Sequence, residues 1–136
     1  MQSKNSFGLL KLFLTALFLS LAALSNAGMD TLTHHYNDSF AAEYKLDRQF
    51  WDPAISWKNK YIEGDPAKQK VKMSLLFISI NKPSFLTDGW HLLKAVMLTL
   101  IFLGSVVWIP VNWWKKLLIF FGFAVLWSVV FEIVYK

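Results

Sequence analysis

Two long apolar runs close the chain. From Trp90 it reads WHLLKAVMLTLIFLGSVVWI, then PVNWWKK, then LLIFFGFAVLWSVVFEIVY. Each run holds about 18 to 20 residues, the length that crosses a hydrocarbon core roughly 30 Å thick. With no water at that depth, backbone polar groups must pair within their own segment, which predicts helices over 88–109 and 113–135. Pro110 and Asn112 break the pattern between them, and Lys115 and Lys116 mark a wet turn. A third run, LFLTALFLSLAAL, lies near the N-terminus behind Lys4 and Lys11. Basic flank, short apolar stretch and the small residues Ser25-Asn26-Ala27 also describe a secretory signal peptide. The uncleaved anchor over 7–27 is the reading preferred here. Phe7, Leu9 and Leu10 extend the apolar face upstream of Lys11, whose long stem can snorkel, and only Gly28 interrupts the residues that follow.

Between the runs, 28–87 is the only long polar stretch. Counted through Asp88, its eight bases match eight acids, so it is solvated without being a charged tail. It is too short to bury a convincing core alone and is expected to lie against the membrane face. Phe50, Trp51, Trp57 and Tyr61 alternate there with Arg48, Lys58 and Lys60, the mixture that favours the headgroup level. Asp52-Pro53 and Gly64-Asp65-Pro66 are turn signals, and the alternating Lys68, Lys70 and Lys72 predict an extended stretch. Met73–Ile80 is too short to span; strand, interfacial dip and buried helix all remain compatible with it. The fold class that follows is all-α: a membrane helical bundle of three transmembrane helices with an interfacial aromatic-rich segment, in one membrane domain.

Composition narrows the function more by exclusion than by assignment. Hydrophobic residues make up 55% of the 136 and aromatics 17%, above the level of ordinary soluble domains. The formal charge is +5, yet the cations are scattered lysines with Arg48 the only arginine, which is unlike a nucleic-acid surface. The absence of cysteine removes disulfides, thiolate metal sites and a cysteine nucleophile. Ser39 and Ser84 have no nucleophile elbow around them, and no glycine loop for phosphate is present.

Three crossings would gather the end of the first helix, the start of the second and the end of the third on one side. That rim then carries Asp30, His34, His35, Asp38, Asp88, His91 and Glu132, including all three histidines. Asp30, His34 and Asp38 share a helical stripe, and Asp88 and His91 share another. Carboxylates and imidazoles in that arrangement suit Zn, Fe or Mn, so His34, His35, Asp38, Asp88 and His91 form a candidate site for a divalent metal. Against this stand plainer roles: Asp30 as cap of a helix starting at Thr31, Asp88 as cap of the second helix, and histidines merely at a wet helix end. Lys94 and Glu132 lie within the apolar runs at similar depth and are expected to pair or to face the bundle interior. Lys4, Lys11 and the turn lysines on one side, with Asp30, Asp38 and Glu43 on the other, predict a cytoplasmic N-terminus in a bacterial inner membrane. The eight bases of the middle segment oppose that orientation, though their number is diluted over a long loop.

The stretches MDTLTHHY (29–36), FWDPAISWKNKY (50–61) and LTDGWHLLKAVML (86–98) together resemble a family of small uncharacterised integral-membrane proteins of Bacteroidota-type bacteria. The likeness covers most of the chain beyond residue 28. It implies continuity of MDTL with the preceding helix, hence an uncleaved anchor, and carries over no catalytic residue. The function expected is that of a non-catalytic component docking membrane lipids, a membrane partner protein or a second copy. The competing expectation is a metal-dependent membrane enzyme working at the interface.

Overall fold

In the computed structural model, residues 2–75 and 78–135 are described, with side chains for 7–74, 79–131, 133 and 134. The architecture is helical. Three helices are long and apolar enough to cross a bilayer, the pattern of a multi-pass membrane protein. Helix α1 spans Gln2–His34, α5 spans Gly89–Val106 and α6 spans Trp113–Tyr135. Between α1 and α5 come three single-turn helices, α2 (Phe40–Glu43), α3 (Arg48–Trp51) and α4 (Pro53–Ser56), then a hairpin of β1 (Lys72–Leu75) and β2 (Ile78–Asn81).

Helix α1 runs unbroken through Ser25-Asn26-Ala27 and on to His34. At its polar end the hydroxyls bond back to the preceding turn: Thr31 Oγ1 donates to Ala27 O and Thr33 Oγ1 to Met29 O. Two expectations fall with this. Asp30 lies inside α1 and caps nothing, and the stripe Asp30–His34–Asp38 is cut because the helix ends at His34, leaving Asp38 in the turn Tyr36–Asp38.

The chain divides into two compact units. One combines residues up to Ala22 with those from Leu98 onward. There Trp108 Nε1 donates to Thr15 Oγ1 at 2.7 Å, joining α1 to the end of α5. A Cβ on Gly104 would stand 3.7 Å from Phe18 Cβ, so the glycine allows close approach of the same two helices. Phe102 on α5 meets Phe120, Phe123 and Trp127 on α6 at centroid distances of 6.1, 5.9 and 6.3 Å. Lys116 Nζ reaches back to Val107 O at 3.0 Å, satisfying a carbonyl beyond the end of α5. None of the described side chains of Trp113–Phe131 is buried, as a helix bathed in lipid or covered by another chain would be.

The other unit, Ala23–Met97, holds the middle segment. Turn chemistry shapes it. Ser39 Oγ accepts from Ala42 N–H to cap α2, Asp47 caps α3, and Asp52 caps α4 with Pro53 in the first helical position. Gly64 follows Glu63 in the left-handed region, at φ 71° and 55°, and Asp65 Oδ1 then accepts from Ala67 N–H. Lys70 bridges Tyr61 in antiparallel fashion and Lys72 opens β1, so these two lysines mark extended chain, while Lys68 lies in the turn that its N–H closes onto Asp65 O. The apolar run after it resolves into the hairpin, with Lys72 opposite Asn81 and Met73 opposite Ile80.

Candidate functional site

The start of α5 is the most heavily determined place in the middle unit. Asp88 precedes the helix, 3% exposed, and its Oδ1 accepts the backbone N–H of His91 at 2.9 Å. This is the cap that its position implied. The same oxygen lies 2.7 Å from His91 Nδ1, while Oδ2 lies 3.2 Å from Thr87 Oγ1 and 3.9 Å from Lys60 Nζ. Burial pushes the Asp88 carboxyl up, but hydrogen bonds from the His91 ring and backbone outweigh it, helped by the charges of His91 and Lys60, so it is held below the usual carboxylate range. A neutral His91 donating Nδ1–H to this carboxylate carries its lone pair on Nε2.

Asn59 locks the surroundings. Its Nδ2 donates to Gln49 O at 2.7 Å and Thr87 O at 2.8 Å, and its Oδ1 accepts from Gln49 Nε2 at 2.7 Å. One side chain thereby ties α3 to the residue before Asp88. Trp51 packs its ring face to the backbone at Gly89, where a Cβ would meet Cε3 at 2.3 Å. Phe40 and Phe50 stand edge-on to Trp51 at 5.2 and 5.3 Å.

Beside these contacts lies an open pocket of about 250 Å³ lined by Thr33, Pro53, Ser56, Trp57, Lys60, Asp88, Trp90 and His91. Ser56 is 2% exposed, and among the described residues its hydroxyl takes no hydrogen-bond partner. Since no fully enclosed side-chain polar atom there lacks a partner, that hydroxyl keeps its opening into the pocket. Lys60 Nζ, beyond hydrogen-bond distance of Asp88, also retains free donors.

The residues singled out as ligands do not come together as one set. Asp88 and His91 share this pocket, whereas His34 and His35 line a separate, open depression with Ala27, Asp30 and Thr31. Thr33 faces the first pocket and its neighbour His34 the other, a consequence of successive residues on a helix pointing about 100° apart. Among the described residues no three His, Asp or Glu side chains lie close enough to hold a metal ion. Of the five candidate ligands His34, His35, Asp38, Asp88 and His91, the structure brings together Asp88 and His91 as a hydrogen-bonded pair.

The aromatic set also divides. Phe50 and Trp51 pack within the unit, while Trp57, 40% exposed, stands at 6.4 Å from Tyr61 with Lys58 Nζ at 5.8 Å over its ring. Lys94 Nζ stands 5.1 Å over Trp90. The side chain of Glu132 lies outside the described residues, and with it the expected partnership with Lys94. Sequence reasoning missed Ser56 and Asn59; a lone serine in a tight turn and an asparagine bonding 28 residues ahead leave no local signal.

Comparison with protein-family models, with curated proteins and with solved structures finds no match for this chain.

Proposed function

We propose that this chain is a non-catalytic membrane component whose middle segment docks on lipid headgroups. The observation that carries the reading is the set of aromatic rings paired with cations in the middle unit: Trp57 with Lys58, Trp90 with Lys94, and Tyr36 with Arg48 at 5.8 Å. Indole and phenol rings prefer the headgroup layer, and lysine beside them meets lipid phosphate. As an 18-residue span α5 covers about 27 Å, just enough for the hydrocarbon core, which brings its first turn to the headgroup level. Tyr44, Ile62, Phe85 and Leu86 add exposed apolar surface to the same segment.

The finer reading places the protein in a bacterial inner membrane with a cytoplasmic N-terminus, within the Bacteroidota-type family that its motifs resemble. The unburied flank of α6 would meet lipid, a second copy or another membrane protein.

The chain has no cysteine, so single cysteines at Tyr44, Ile62 and Phe85 can carry a spin label. Depth measured by oxygen against nickel-chelate accessibility in liposomes should place all three within the headgroup layer. Labels freely accessible to the chelate, as in bulk water, would refute docking.

A further inference from the structure

We infer that the pocket at the start of α5 is a specific site for a phosphodiester headgroup bearing its own hydrogen-bond donor, the class of phosphatidylethanolamine and phosphatidylglycerol lipids. The inference rests on the docking reading and adds which lipid is chosen and by which residues.

Three groups give the pocket its chemistry. Lys60 supplies a cation whose nearest acid, Asp88, is 3.9 Å away and already engaged by His91 and Thr87. Ser56 supplies a nearly buried hydroxyl with no partner among the described residues. Both suit the non-bridging oxygens of a phosphodiester. His91 supplies the opposite function. With Nδ1–H held by Asp88, a neutral ring offers Nε2 as an acceptor, which calls for an ammonium or hydroxyl on the ligand. Trp57, Trp90 and Pro53 wall the pocket.

Size agrees. At about 250 Å³ the pocket is below the usual range for drug-sized ligands, which suits a headgroup whose acyl chains remain in the bilayer. Asp88 lines the pocket too, but it is 3% exposed and its oxygens are engaged by His91 and Thr87, so its part is to orient His91. A phosphocholine headgroup has the phosphate but no N–H or O–H for Nε2, and inorganic phosphate has no second arm at all. The site should discriminate against both.

The test uses the full chain in an uncharged sugar detergent. Short-chain phosphatidylethanolamine, phosphatidylglycerol, phosphatidylcholine and inorganic phosphate are titrated separately while the indole N–H resonances of Trp57 and Trp90 are followed. Saturable shifts with the first two lipids, and binding about tenfold weaker for phosphatidylcholine, fit the loss of one hydrogen bond to the His91 acceptor. Lys60→Gln and Ser56→Ala should each weaken the favoured lipids, with Lys60→Arg restoring most of the affinity. His91→Phe should erase the preference over phosphatidylcholine. Equal binding of all three lipids, or no change in Lys60→Gln with its spectrum otherwise intact, overturns the inference. Inorganic phosphate binding as tightly as the lipids overturns it as well, showing a free-phosphate site. Spin labels at headgroup depth together with any of these failures would leave docking standing and remove only the selective pocket.

Discussion

At Gly89 the fold depends on a missing methyl group. A Cβ there would sit 2.3 Å from Trp51 Cε3 and within 2.9 Å of two further ring atoms. An indole wedged between Phe40 and Phe50 cannot retreat as a lysine tip can. Gly89→Ala should therefore destabilise the protein by about 1–3 kcal/mol, the usual cost of overpacking, read as thermal unfolding in detergent. Gly122, with nothing near its Cβ position, is the control and should tolerate alanine without loss. One residue earlier, Asp88 predicts a pH dependence. Its carboxyl is held below the ordinary value, so its stabilising contribution is complete above the unfolded pKa of about 4 and fades as pH falls through the lowered folded value. Acidification should thus unfold the native chain more steeply than Asp88→Asn, with the two curves drawing together at the acid end. Parallel melting curves at every pH would show that Asp88 has no such role.

At the scale of elements, α6 was legible because length and hydropathy suffice for a span, and the chain resolves it as Trp113–Tyr135. The second helix was drawn too long at its C-terminal end. Val107 to Ile109 are apolar enough to continue, but Pro110 forbids the helix just beyond, and Lys116 already takes the Val107 carbonyl. The candidate site was half legible. Asp88 capping α5 follows from sequence spacing, whereas the convergence of Ser56, Lys60 and His91 depends on Asn59 bridging Gln49 and Thr87, a long-range tie that periodicity never reports. The stripe Asp30–His34–Asp38 does not form because α1 would have to carry Asp38 on the face of His34, and the helix stops one turn short. Pairing of α1 with α5 makes its own prediction through Trp108 and Thr15. Thr15→Val keeps the shape but removes the acceptor of the indole N–H, and should cost about 1 kcal/mol, as interhelical hydrogen bonds in membranes do. Trp108→Phe should cost no more when added to Thr15→Val than its lost packing requires, and a double-mutant cycle measures the difference.

At the scale of the whole molecule, the helix lengths impose a topology that labelling can read. Helix α1 has 33 residues and is about 50 Å long, well beyond the hydrocarbon core. An end of α1 must then stand clear of the bilayer or the helix must tilt, and the back-bonded Thr31 and Thr33 mark the end suited to water. If α1, α5 and α6 all cross, an N-terminal tag and the Asn112 turn share one face and Tyr44 lies on the other. With lysines flanking the N-terminus and the turn, the positive-inside rule predicts that first face to be the cytoplasmic one. In intact cells a membrane-impermeant thiol reagent should label Tyr44→Cys and spare Asn112→Cys, while an N-terminal tag resists external protease. Labelling of Asn112→Cys instead would invert the orientation. A tag exposed on the same face as Tyr44 would mean that α1 lies along the membrane and does not cross it. The headgroup pocket sits at the turn entering α5, so its leaflet follows directly from this experiment: the outer one if Tyr44 reacts, the inner one if Asn112 does.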